Sequence, residues 1–321
     1  MAAFGAIKVF ALGASREYGE RVSRLLEIPL GALEERSFED GEHKTRPVTS
    51  VRGHDVYVIH SLYAEPTESV NDKLCRLLFF IGALKDASAA RVTAVVPYLA
   101  YARKDRKTQL RDPVTTKYVA EMLEAVGTDK VMTLDVHNPA AFQNAFRRPT
   151  DHLEGVGLYA DYLTPLLRGR NATVVSPDIG GAKRAAQLRS ALAASLAGEP
   201  GAAFVDKTRG GGVVSGGALV GNVRNRIAVI VDDLIGSGTT IRLAAQACRQ
   251  AGAERVIAVA THGLFLAGAA EVIGDPAIDR VAIVDTVPPF RLPQELVKRK
   301  VAILESARLF ADAIYRSHTA D

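Results

Sequence analysis

Apolar, β-branched runs recur along the whole chain, and most are followed by a stretch whose apolar residues fall at helical spacing. The runs at 7–12, 55–60, 91–97, 130–135, 172–176, 227–232, 255–261 and 280–285 predict strands. The patterns at 69–84, 115–125, 181–197 and 240–251 predict helices. Strands that alternate with helices are joined by crossovers, and crossovers pair strands in parallel. The pattern therefore predicts an α/β fold with mainly parallel sheets.

A weak internal repeat refines this picture. Residues 126–137 (VGTDKVMTLDVH) align with 251–262 (AGAERVIAVATH), each reading as a helix end, a glycine, a strand and a terminal histidine. Two related halves are expected, with a boundary near 147–157, where the polar stretch RRPTDHLEG falls. The division is drawn as domains 1–150 and 151–321. Residues 207–222, KTRGGGVVSGGALVGN, form a Gly-dense segment that predicts a mobile loop or a loosely held hairpin.

Composition narrows the class. With 321 residues the chain has room for two domains, and 48% hydrophobic with 24% charged residues marks a folded globular protein. Two cysteines, Cys75 and Cys248, cannot build a disulfide framework. A reducing cytoplasm is expected, with both thiols as buried small hydrophobes. No apolar run approaches the ~18 residues of a membrane span, and the N-terminal stretch containing Lys8 lacks a signal-peptide layout. The net charge of +4 suits anionic ligands, without the dense Lys/Arg block of a nucleic-acid surface. Neither a nucleic-acid nor a membrane partner is expected.

The strongest chemical signal is VIVDDLIGSGTT at 229–240. A strand ends in two carboxylates, Asp232 and Asp233, and a Gly/Ser/Thr loop leads into a helix. Acids at that edge can hold sugar hydroxyls or a metal. Backbone N–H groups around Gly236, Ser237, Gly238, Thr239 and Thr240 can cradle a phosphate. The plain alternative is a capped turn with solvated acids. At the end of another strand, VVSPDIGGAKR at 174–184 offers Asp178 as a Mg²⁺ ligand or simply as a helix N-cap. His137 ends a strand in the first half, and His262 is its repeat counterpart. The segment 97–107 gathers Arg103, Lys104, Arg106 and Lys107 beside Tyr98 and Tyr101, which suits a polyphosphate. Lys207 and Arg209 open the Gly-dense segment, where cations on a loop could meet a transferring phosphoryl group. Walker A and G-x-G-x-x-G patterns are absent, so a nucleotide would be held by other means.

Taken in order, FEDGE at 38–42, the segment 71–107, TLDVH at 133–137, VVSPDIGGAKRA at 174–185, KTR at 207–209 and VDDLIGSGTT at 231–240 resemble the ribose-phosphate pyrophosphokinases. The resemblance spans nearly the whole chain. It implies two tandem phosphoribosyltransferase-like domains and an ATP- and Mg²⁺-dependent enzyme. Such enzymes transfer the pyrophosphoryl group of ATP to the 1-hydroxyl of ribose 5-phosphate, giving phosphoribosyl pyrophosphate and AMP. Carried over by position, Phe38 would stack on adenine, and Asp40, Gly41 and Glu42 would hold it from a neighbouring subunit of a dimer-based homo-oligomer, a hexamer being one such assembly. Arg103 and Lys104 would contact ATP, and His137 and Asp178 would sit at the Mg²⁺ site. Lys207 and Arg209 would be the loop cations of catalysis. Asp232 and Asp233 would address the ribose hydroxyls, and residues 236–240, with Arg209, the ribose 5-phosphate.

The chain departs from the family pattern at three of these positions: Lys104 replaces a usual Gln, Gly236 a usual Asp, and Thr239 a usual Gly. The loop after His137, NPAAFQ, also differs. Two other readings stay open at this point: a non-catalytic regulatory homologue, which a lost acid at 236 would suit, and a nucleobase phosphoribosyltransferase.

Overall fold

The structure, a computed structural model, describes residues 4–206 and 218–319, and the backbone of 209–210 and 213–214. These residues form two compact units: one runs to Leu153 and resumes at Ser306, the other is Glu154–Glu305. The division is not linear, because the last helix groups with the first unit.

The first unit contains strands β1 (Gly5–Ala11), β2 (Leu33–Ser37), β3 (His43–Pro47), β4 (His54–Ile59), β5 (Arg91–Val96), β6 (Lys130–Leu134) and β7 (Thr150–Leu153). Its first four helices are α1 (Arg16–Leu25), α2 (Val70–Asp86), α3 (Thr115–Ala125) and α4 (Pro139–Ala145). The main sheet has the order β1-β4-β5-β6-β7 and every pair is parallel. Its inner strands are nearly continuous apolar runs, with Val56, Val58, Ile59, Val92, Ala94 and Val96 all inaccessible to solvent, as a parallel sheet requires. Ser69 and Asp72 close a reciprocal capping box at the start of α2, which fixes where that helix begins. Helix α2 then lays Leu77, Phe80, Ile81 and Leu84 into the core, where Phe80 meets Phe10 edge to face at 5.5 Å.

The second unit contains β8 (Ala172–Ser176), β9 (Gly201–Asp206), β10 (Arg209–Gly210), β11 (Val213–Val214), β12 (Ala218–Gly221), β13 (Ile227–Ile235), β14 (Arg255–Gly263), β15 (Arg280–Val284) and β16 (Val301–Leu304). Its helices are α5 (Val156–Leu167), α6 (Ala182–Ser195), α7 (Thr239–Gln250), α8 (Ala269–Gly274) and α9 (Gln294–Lys300). The sheet order is β12-β9-β8-β13-β14-β15-β16, with only β12 antiparallel to its neighbour. Strands β10 and β11 form a short antiparallel pair inside the Gly-dense segment, much of which lies outside the described residues. Helix α10 (Ala307–Thr319) completes the first unit. There the Arg91 guanidinium binds Asp55 at 2.8 and 2.5 Å and the Ser317 carbonyl at 2.9 Å, and His318 Nδ1 lies 2.9 Å from the same Asp55 carboxylate.

All eight predicted strands are present, and the α/β class with mainly parallel sheets is confirmed. Most strands that the pattern missed sit at edges or in side hairpins; β9 (GAAFVD) is an interior strand between β12 and β8, and its short run is too weakly apolar to stand out. β2 and β3 (LEERS and HKTRP) are dominated by polar and charged residues and pair only with each other, and β7 (TDHL) is an edge strand. Such strands need no apolar face, so they carry no apolar signal.

The expected repeat requires a correction. Gly127 (φ +94°) and Gly252 (φ +89°) do close α3 and α7 alike, in the left-handed conformation that glycine tolerates. Counted along the sheets, however, β6 corresponds to β15 and β5 to β14. Asp129 Oδ2 joins Lys85 (2.9 Å) to the Val92 N–H (2.8 Å) in one unit, and Asp279 Oδ2 joins Arg249 (2.5 Å) to the Val256 N–H (2.6 Å) in the other. The equivalent segments are thus 130–136 (KVMTLDV) and 280–286 (RVAIVDT), and His137 and His262 occupy different rungs. The expectation for cysteine also fails in half: Cys248 is buried, its thiol pushed up to about 12 by burial, but Cys75 is exposed on α2.

Candidate active site

In the second unit the acidic pair lies within the end of β13, which runs three residues further than the apolar pattern predicts. Asp232 pairs with Ala260 and Leu234 with His262, while Asp233 lies between these two pairs. The Asp233 N–H donates to Asp232 Oδ1 at 2.9 Å. One guanidinium meets both carboxylates: Arg184 Nη1 is 3.4 Å from Asp232 and Arg184 Nη2 is 3.6 Å from Asp233. Burial raises the Asp232 pKa above the ordinary carboxylate range, and the adjoining Asp233 raises it further; Arg184 opposes both.

The turn after this pair is shaped for an anion. Gly238 has φ +81°, and a Cβ there would come within 2.8 Å of Val272 Cγ1, so the position needs glycine on both counts. The Arg242 N–H donates to Gly238 O at 2.9 Å and begins the helical ladder of α7. The amides of 239–241 therefore have no acceptor within the helix and present its positive end. Ser237 Oγ lies 3.1 Å from Thr239 Oγ1 beside them. The N–H groups of Phe265 and Leu266 donate to the carbonyls of Ile235 and Gly236 at 3.1 and 3.0 Å, which clamps the turn from the neighbouring loop. Gly236 differs from Gly238: its φ is not left-handed, and an added Cβ would meet only Leu266 Cδ1, at 3.8 Å. The backbone therefore has room for the acid that the family pattern expects.

Asp178 follows β8 and is half-buried. Its Oδ1 accepts the Gly181 N–H at 3.1 Å, so the N-cap role is realised. Lys207 lies outside the described residues, and of Arg209 only the backbone, in β10, is described.

In the first unit Phe38, Asp40, Gly41 and Glu42 form the exposed tip of the β2–β3 hairpin. The Phe38 N–H donates to Glu42 O at 2.8 Å, the Glu42 N–H donates to Asp40 Oδ1 at 3.1 Å, and the Arg36 guanidinium lies 4.9 Å from the Phe38 ring centre. Arg103 and Lys104 are exposed on the loop that leaves β5. That loop is pinned where Thr116 Oγ1 donates to the carbonyls of Tyr101 (2.9 Å) and Lys104 (3.2 Å). Asn138 Nδ2 donates to Asp105 Oδ2 at 2.8 Å, which draws the loop after β5 to the loop after β6. His137 is exposed next to Asn138. The basic loop and His137 thus share one sheet edge, as their strand ends predicted. His262 is instead buried, with Nδ1 2.9 Å from Thr286 Oγ1.

The residue that sequence reasoning missed is Arg184. It stands in the first turn of α6, two residues past Ala182 in GGAKR, and nothing local distinguishes it from a solvated helix arginine. Only the adjacency of β8 and β13 carries it to the acidic pair. Among the described residues no three His, Cys, Asp or Glu side chains gather into a metal cage, and no helix is long and apolar enough to cross a membrane.

Two family models match the chain: the N-terminal domain of ribose phosphate pyrophosphokinase over residues 7–127, and the phosphoribosyl synthetase-associated domain over residues 216–321. Ribose-phosphate pyrophosphokinase 1 of Streptococcus agalactiae serotype III is 38% identical over 97% of this chain and 94% of its own length. The protein of the same name from Streptococcus pyogenes serotype M1 is 38% identical over the same shares, 97% and 94%. The crystal structure of phosphoribosylpyrophosphate synthetase from Mycobacterium smegmatis superposes with a TM-score of 0.89 at 30% identity, covering 99% of this chain and all of that one.

Proposed function

The chain belongs to the ribose-phosphate pyrophosphokinase family, and on that premise we propose that it transfers the β,γ-pyrophosphoryl group of ATP to ribose 5-phosphate. The ribose 1-oxygen forms a bond to the β-phosphorus, the bridge between the α- and β-phosphates breaks, AMP leaves, and the hydroxyl proton passes to solvent. The observation that carries this reading is the juxtaposition, at one strand end, of the Asp232–Asp233 pair with the amides that open α7. A carboxylate pair accepts hydrogen bonds from vicinal hydroxyls, and a helix N-terminus holds the phosphate of the same sugar.

The other roles follow by position. The hairpin tip at 38–42 and the basic pair Arg103–Lys104 address ATP, and Lys207 and Arg209 neutralise the transferring group. Mg²⁺ fits this donor set. It keeps several waters and takes phosphate oxygens, so one or two carboxylates suffice. Asp178 would hold it in its own unit, and the ion would there neutralise charge on the polyphosphate; His137 stays a candidate by position alone. The exposure of residues 38–42 supports a homo-oligomer in which each hairpin serves a neighbouring copy. Two free thiols support a reducing, cytoplasmic setting.

Mixing the protein with ATP, ribose 5-phosphate and Mg²⁺ is expected to yield AMP and phosphoribosyl pyrophosphate. Failure to form AMP at saturating substrates would replace catalysis with the regulatory reading, and a monomeric mass by light scattering would leave the hairpin without a neighbour to serve. The departure at 236 gives a second test. Gly236→Asp is expected to fold normally and to lower KM for ribose 5-phosphate by about three- to tenfold, the effect of one added charged hydrogen bond. An unchanged KM would show that the backbone and the Asp232–Asp233 pair hold the sugar unaided.

A further inference from the structure

We propose a second anion site in the Glu154–Glu305 unit, at the edge of its sheet opposite the acidic pair. It would take a phosphorylated small molecule of up to nucleotide size. A cavity of about 410 Å³ opens where β8, β9 and β13 begin, and Arg168, Arg170, Arg226, Asn171 and Ser195 are among the residues that line it. That volume lies within the ~300–1,000 Å³ of small-molecule sites. Three arginines face it against one carboxylate, Glu199, which Arg189 already holds at 2.7 Å.

The arginines are not used up by the fold. Arg170 reaches Glu254 only at 3.5 Å. Among the described residues neither the Arg168 nor the Arg226 side chain has a hydrogen-bond or ion-pair partner. Arg226 is half-buried, and a Cβ on Gly201 would come within 2.8 Å of Thr173 Oγ1 and 3.1 Å of Arg226 Nη1, so the guanidinium lies close over the backbone at 201. A partly desolvated guanidinium without an acid is costly to keep, and its planar fork matches phosphate oxygens.

The placement also suggests regulation. Arg226 directly precedes β13, whose first N–H, that of Ile227, donates to Asn171 O at 2.9 Å. An anion that gathers Arg226 and Arg168 would thus pull on the start of the strand that ends in Asp232 and Asp233.

The test is calorimetric titration of the full-length protein, with saturating ribose 5-phosphate and without ATP, in two arms: inorganic phosphate and ADP. The Arg168→Glu/Arg170→Glu double variant, altered only at exposed positions, is expected to bind the anion roughly tenfold or more weakly, with Arg226→Gln weaker likewise. Loss confined to the phosphate arm assigns the site to free phosphate; a larger loss in the ADP arm assigns it to a nucleotide. The double variant should keep KM for ATP and for ribose 5-phosphate within about twofold, since single surface changes away from a site have small effects. Wild-type affinities retained in both arms by both variants, or no anion binding by the wild type, would overturn the proposal. The two calorimetric arms do not depend on turnover, so an inactive protein would still decide the proposal.

Discussion

Lys207→Ala is expected to lower kcat by about 10²–10³ while KM for ATP moves only a few-fold. Pyrophosphoryl transfer involves little covalent chemistry for the protein. Its barrier lies in charge that spreads over the moving group and in the alignment of attacking and leaving oxygens. A lysine that meets the transferring group neutralises charge that develops as the group moves, so its effect would fall mainly on the transition state. Steady-state kinetics with ATP as the varied substrate separates the two effects. Parallel losses in turnover and ATP affinity would place Lys207 in ground-state binding instead.

Arg184→Gln is expected to move the acidic limb of the pH profile of kcat/KM for ribose 5-phosphate upward by about 1–3 units. The sign follows from the local charges. Burial and the adjoining Asp233 raise the Asp232 pKa, and Arg184 is the group that lowers it. Removing that cation lets the pKa climb further, so a higher pH is needed before the pair is ionised and can accept the sugar hydroxyls. Below the displaced limb the variant should be severely impaired; above it, activity should largely return. Arg184→Lys keeps the charge and should restore most of the wild-type profile. A uniform loss at every pH, with the limb unmoved, would assign Arg184 to scaffolding alone.

Of the candidate site, the groups that sit at strand ends were legible in the sequence. Asp178, Asp232, His137 and Arg103 each follow an apolar run, and in a parallel α/β sheet the residues after such runs collect at one edge. Asp178 also shows how one residue can satisfy two readings: its carboxylate caps Gly181 in the observed structure and remains the proposed metal ligand. His262 shows where the same logic fails. It ends a buried strand, but the neighbouring rung supplies Thr286, and the pair packs inside the unit. The internal repeat in the sequence falls one rung out of step because helix end, glycine and strand recur at αβ junctions. The Asp129 and Asp279 bridges that identify the true equivalents are tertiary.

By itself the sequence determined the α/β class, eight strands of the two parallel sheets and the anion-cradling turn. These depend on hydrophobic periodicity and on glycine at special positions, which are local properties of the chain. Only the tertiary structure decided which strands are neighbours. That order brought Arg184 to the acidic pair, gathered the arginines beneath β13 and returned the last helix to the first unit. Pairing between distant segments is set by which buried surfaces fit one another, and no window of residues short enough to carry a period contains that information.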